Sequence, residues 1–216
     1  MNETERRQLD ADVAGCASSH QHLLADLDAL VDGKATMSQA PSALPGWTVG
    51  HVLTHLARNA DAFRRMIEGA DAGEVRPMYV TADARDEDIA AGASRPFGEI
   101  VADIRTSVWA LESAWATLGA DGWAGFGLAR FGKVPVVEFP WRRRREVEVH
   151  RVDLGLGYSA ERWPADYVAA DLARRSSEAS GRETVVPDEV VGASDARRLA
   201  WLLGRQSGFS APPPAF

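Results

Sequence analysis

Cysteine is almost absent from this sequence of 216 residues, Cys16 being the only one. A lone thiol excludes an internal disulfide and an all-cysteine metal cage, and it suits a reducing compartment. Long apolar runs are missing as well. No stretch approaches the ~20 residues that span a bilayer, so no membrane span and no membrane partner are expected. The opening residues, MNETERRQLDADVAG, lack the basic start, apolar stretch and small-residue cleavage site of a secretory signal. The expected location is cytoplasmic. Positive charge is in deficit, 24 Lys and Arg against 31 Asp and Glu, for a net charge of -7. That argues against a broad phosphate-binding face. Base-stacking aromatics interleaved with basic residues are missing too, so nucleic acid is not an expected partner despite the run Arg142 to Arg145. That run reads as a mostly solvated helix face, one member pairing with Glu148 or Asp153.

What the sequence does contain is helical periodicity. Leu9, Val13, Cys16, Leu23, Leu27 and Leu30 recur at helical spacing and predict an amphipathic helix from about Glu5 to Leu30, with Cys16 in the core. Chain breakers between Pro41 and Trp47 end the next connection, and Thr48 is placed to cap a helix running to about Gly69. A connection over 70–82 precedes a short helical piece near Ala82 to Ala91. After Pro96, the apolar face of Phe97, Ile100, Ile104, Val108, Leu111 and Trp115 marks a third long helix. Glycines and β-branched residues from Trp123 to Val137 suggest a loop with a short extended piece. A fourth helix is predicted from about Glu138 to Leu154, with Pro140 in its first turn.

The economical architecture is mainly α: a four-helix bundle over residues 1–157, followed by a small appendage, helical or α/β, over 158–216. The appendage is expected to hold a helix near Ala165 to Ala179, a strand around Thr184 to Val186, a helix near Asp195 to Leu203, and a proline-rich end.

Two of the helices carry chemistry. Residues four apart share a helix face, so His51 and His55 can point together, as can Glu146 and His150. On the fourth helix the carboxylate of Glu146 falls on the stripe that carries Phe139, where burial without a counter-charge is costly. A divalent cation with imidazole co-ligands would compensate it. The plain alternative is that Glu146 pairs with a neighbouring arginine and the histidines are ordinary core or surface residues. Spacing does not choose three ligands from these four candidates. Two imidazoles, one carboxylate and an open position would suit a catalytic zinc site, where a bound water or thiol loses its proton at neutral pH. His20 and His22, on the first helix, stand apart from any ligand-like spacing.

Three segments carry a resemblance: Leu44-Pro-Gly-Trp-Thr-Val-Gly-His-Val-Leu-Thr-His55, Pro77-Met-Tyr-Val-Thr-Ala-Asp-Ala-Arg85 and Arg145-Glu-Val-Glu-Val-His-Arg-Val-Asp-Leu-Gly155. Together they resemble the mycothiol-dependent maleylpyruvate isomerase family, in the DinB-like metal-binding superfamily. The resemblance covers the bundle. It implies that His55, Glu146 and His150 are the metal ligands, with zinc the expected ion, and that His51 is a neighbour on the helix surface. It further implies mycothiol as the thiol cofactor and the conversion of maleylpyruvate to fumarylpyruvate in gentisate breakdown. In that chemistry a metal-activated thiolate adds to the cis double bond, the single bond rotates, and elimination gives the trans isomer. Cys16 need take no part. A dianionic substrate calls for cations near the metal, and Arg85 and Arg205 are the candidates, Arg205 matching an activity-linked arginine near the end of family members. Against the family pattern the C-terminal segment reads as shortened, lacking several strands. That leaves two competing functions: a mycothiol S-transferase acting on another electrophile, and a non-catalytic metal-binding module.

Overall fold

The apolar periodicities translate into four long helices in the computed structural model, which describes residues 1–31, 36–81, 83–178, 187–205 and 208–210. They are α1 (Glu3–Val31), α2 (Val49–Asp71), α4 (Phe97–Ala116) and α6 (Phe139–Asp153), with the short α3 (Ala84–Gly92) and α5 (Ala120–Trp123) between them. The predicted loop after Trp123 is a small antiparallel hairpin, β1 (Phe126–Ala129) with β2 (Gly132–Pro135), which pairs Phe126 with Pro135 and Ala129 with Gly132. Beyond α6 lie α7 (Ala165–Glu178), α8 (Asp188–Val191) and α9 (Asp195–Leu202). The strand expected around Thr184 to Val186 and the proline-rich end lie outside the described residues. No helix among the described residues is long and apolar enough to cross a membrane.

In the bundle α2 packs most broadly against α4, and α1 against α6. One end of the core holds Leu23, Leu27, Leu53, Leu56, Ile100 and Val147, and the other holds Cys16, Phe63, Met66, Leu111, Trp115 and Phe139. Each such side chain contributes about 1.5–3 kcal/mol by leaving water. Gly50 lets α2 approach closely, since a Cβ there would stand 2.0 Å from the Ala93 carbonyl oxygen. Thr48 caps α2 as expected. His51 completes the cap: its backbone N–H donates to Thr48 Oγ1 at 3.4 Å and its Nδ1 accepts from the Thr48 N–H at 3.2 Å. This reciprocal arrangement occupies two donors that the helix start would otherwise leave open. His51 is therefore a capping residue, its ring tilted against Trp47 with centres 6.0 Å apart.

The helix α6 departs furthest from the sequence expectation. A bundle helix has one wet face, but here α1 and α2 cover one side while Trp163, Tyr167 and Leu199 of the C-terminal segment pack with Val149 on the other. The arginine run is therefore not a solvated face. Arg143 is fully buried and Arg144 nearly so, Arg144 forming a two-point pair with Asp166 at 2.7 and 3.0 Å. Nor does any member of the run take Glu148 or Asp153. Glu148 accepts from Ser19 and Tyr158 at 2.6 and 2.7 Å, and Asp153 accepts from Arg205.

Arg143 anchors a polar chain through all four bundle helices. Its Nη1 donates to Asn59 Oδ1 of α2 at 2.7 Å, and its Nε donates to His20 Nε2 of α1 at 3.1 Å. Because that ring nitrogen accepts, the proton sits on Nδ1, which donates to Glu112 of α4 at 2.8 Å. Burial lowers the His20 pKa to about 4, so the ring is neutral at physiological pH.

Candidate metal centre

The helices α2 and α6 bring three of the four candidate ligands together. His55 projects from the middle of α2, and Glu146 and His150 from successive turns of α6; one donor atom from each lies within 4.8 Å of the others. His55 Nε2 donates to Glu146 Oε2 at 3.1 Å, and His150 Nε2 is 3.5 Å from the same oxygen. The two rings meet edge to face, 4.6 Å between centres. Trp47 packs against the outer side of His55, 6.0 Å away by ring centres. Glu146 pairs with these histidines, not with a neighbouring arginine, and His51 stays on its cap.

A fourth residue completes the arrangement. Asp153, one turn beyond His150, accepts from His150 Nδ1–H at 2.8 Å, which turns Nε2 toward Glu146. Arg205 holds Asp153 in turn, its Nε and Nη2 donating to the two carboxylate oxygens at 2.7 and 2.9 Å, while its Nη1 donates to the Leu203 carbonyl at 2.9 Å. A carboxylate behind a ligating imidazole fixes the ring's orientation and raises its basicity. The Asp-His spacing lay in the sequence at three residues, a helical neighbour distance; the Arg205 partner, 52 residues away, had no local signal.

The electrostatics follow from this geometry. Burial pushes the Glu146 carboxyl up, but hydrogen bonds from His150 and His55 outweigh it and hold it well below the usual carboxylate range. Burial likewise pulls both histidines down. It prevails at His55, whereas Asp153 and Glu146 overcome it at His150, whose pKa is raised above the ordinary 6.5. The donor set fits a divalent cation: one anionic oxygen and two imidazole nitrogens converge, and among the described residues the His55 Nδ1 finds no other partner to hold its ring back. The raised value leaves His150 protonated in a larger share of molecules near neutral pH than an ordinary histidine, and an entering cation must displace that proton. Loading the metal-free protein is thus expected to release protons, in a share that grows as pH falls toward the raised His150 value. Affinity should climb with pH through the raised His150 value and fall away below it. Calorimetry in buffers of different ionisation enthalpy checks this; proton release near zero at pH 7 would show that His150 is not displaced.

A cavity of about 400 Å³ opens beside the cluster, lined by Glu146 and His150 together with Arg142, Arg145, Arg175 and Arg205. Sequence reasoning had placed Arg205 here but missed the other three, because their convergence depends on α7 folding back over α6. Arg85 does not line this cavity, but it lies close enough to His55 to act on that ring's charge. Its guanidinium lies 5.8 Å from the Trp47 ring centre and it pairs with Asp86. Tyr79, which no sequence argument singled out as a site residue, lies near Arg85, and burial raises its phenol pKa despite that cation, so it stays protonated.

Fold and cluster together define a helical bundle whose α2 and α6 present a His-Glu-His centre beside a cationic cavity. A sequence model described as the mycothiol maleylpyruvate isomerase N-terminal domain matches residues 5–155, and the chain belongs to that family. Among solved structures, a mycothiol-dependent maleylpyruvate isomerase aligns at TM-score 0.81 and 28% identity, over 96% of this chain and 97% of that one. A histidine-to-alanine mutant carrying the same description aligns at TM-score 0.81 as well, over 96% of each chain. Comparison with curated proteins finds no match. The alignment with the first of these runs over nearly the whole of both chains, so it takes in the C-terminal segment as well as the bundle.

Proposed function

We propose that the protein converts maleylpyruvate to fumarylpyruvate with mycothiol as thiol cofactor, at a divalent metal, by its donor set zinc, held by His55, Glu146 and His150. The observation that carries this reading is the placement of the His-Glu-His cluster on the wall of an arginine-lined cavity. When bound, the cation supplies Lewis acidity that lets a thiol lose its proton at neutral pH. The chain's own residues do the rest. Asp153 fixes the His150 ring and Arg205 fixes Asp153, so the donors are set before any ligand arrives. The arginines provide a positive wall for a dianion and for negative charge that develops as its double bond is attacked. Near the cluster, Arg85 and Tyr79 add a cation and a phenolic donor, with Trp47 shielding His55 from water. In this reading residues 158–216 are an appendage to the bundle of residues 1–157, and its described part lends Arg175, Leu203 and Arg205 to the cavity wall.

Incubating metal-loaded protein with maleylpyruvate, with and without mycothiol, tests the reading. Isomerisation that requires the thiol but does not consume it is expected. Turnover without thiol, or none with metal fully loaded, contradicts it. A stable thiol adduct in the mass spectrum would identify an S-transferase instead.

A further inference from the structure

The four arginines of the cavity differ in what their donors already hold. Arg205 has all three nitrogens engaged, on Asp153 and the Leu203 carbonyl. Arg142 places Nε and Nη2 on one oxygen of Glu138, at 3.0 and 2.7 Å. Arg145 is different. Its Nε lies 3.5 Å from Asp171 Oδ2, beyond a normal hydrogen-bond length, and its guanidinium rests 5.7 Å from the Trp141 ring centre. Among the described residues no shorter polar contact engages it.

Asp171 is fully buried and steadied by Tyr167, whose hydroxyl donates to it at 3.0 Å. It stands 3.5 Å from Arg175 as well as from Arg145, so one carboxylate from α7 seats two guanidiniums at the cavity wall. Arg145 also precedes Glu146 in sequence, and both line the cavity. A guanidinium held from behind, with its fork open toward a cavity beside a metal centre, is built to receive a carboxylate through two parallel hydrogen bonds.

We infer that Arg145, seated on Asp171, grips a carboxylate of the substrate and sets the preference of this centre for anionic over neutral electrophiles, while Arg205 acts through Asp153 as a positioning residue. The inference rests on the isomerase reading above for the identity of that substrate. It assigns substrate selection to contact between α6 and α7, of which α7 lies beyond the residues that the family model matches.

The test is calorimetric titration of metal-loaded protein with maleate in the absence of thiol. Losing a charge-assisted pair should weaken maleate by about 10- to 100-fold in Arg145→Gln. Arg145→Lys should recover part of that loss, keeping the charge without the fork. Metal content should not change in either variant. In turnover, the KM for maleylpyruvate should rise by a similar factor with kcat within about threefold of wild type. Equal maleate affinity in wild type and Arg145→Gln overturns the inference, as does a wild type that fails to bind maleate at millimolar concentration. Arg145-dependent maleate binding without any isomerisation would leave the grip standing and remove the isomerase reading. Thiol-dependent isomerisation with an unchanged KM in Arg145→Gln would do the reverse.

Discussion

Glu146→Gln is expected to lose bound metal and to reduce thiol-dependent turnover by roughly a thousandfold, the several kcal/mol that a Lewis acid contributes to such chemistry. Glu146 is the one anionic donor of the cluster and the group that both histidines face. Glutamine keeps its shape and can still accept from His55, so helix packing should survive and the loss should be confined to the site. Its neutral oxygen is a poor ligand, and with the carboxylate gone His150 keeps only Asp153 as an anionic partner. Metal analysis after dialysis, with circular dichroism to verify the fold, makes the measurement. A variant that still carries about one metal ion and turns over within about tenfold of wild type would remove Glu146 from the ligand set.

The second large effect is on stability. Arg143→Ala is expected to cost about 3–5 kcal/mol, because removing one partner of a buried polar chain leaves the others unpaired as well as leaving a void. His20 and Asn59 would both lose the donor they face, on two different helices. Arg143→Met should cost less, since it retains much of the volume and leaves a smaller void, while His20 and Asn59 lose the same donor. Urea unfolding of the metal-free protein, with slopes compared to verify two-state behaviour, reads the difference. A loss below about 1 kcal/mol in Arg143→Ala would mean that the chain through His20 and Glu112 does not hold the bundle together.

These two residues mark how far the sequence could be read. Glu146 and His150 were legible because residues four apart share a helix face, and the helices that carry them and His55 announced themselves through apolar periodicity and the Thr48 cap. Choosing His55 over His51 needed the resemblance; the structure adds the physical reason, since His51 lies at the third position after the cap, where its ring turns back to Thr48. Arg143 was misread for the opposite reason. Four consecutive arginines look like a wet face on a bundle helix, and nothing local says that Trp163, Tyr167 and Leu199 will cover α6 from behind. The pairs that shape the site, Arg205 with Asp153 and Arg145 with Asp171, join the bundle to the C-terminal segment. Such contacts carry no periodicity, so they were invisible until the chain was folded.

On the proposed reading, α2 and α6 together hold a thiol-responsive metal. X-ray absorption at the metal edge of the loaded protein, before and after mycothiol is added, tests it most directly. Two imidazole nitrogens and a carboxylate oxygen are predicted in the first coordination sphere of wild type, with one nitrogen lost in His55→Ala and a sulphur neighbour appearing only when thiol is present. An unchanged sphere in His55→Ala, or no sulphur neighbour at saturating thiol, would contradict it.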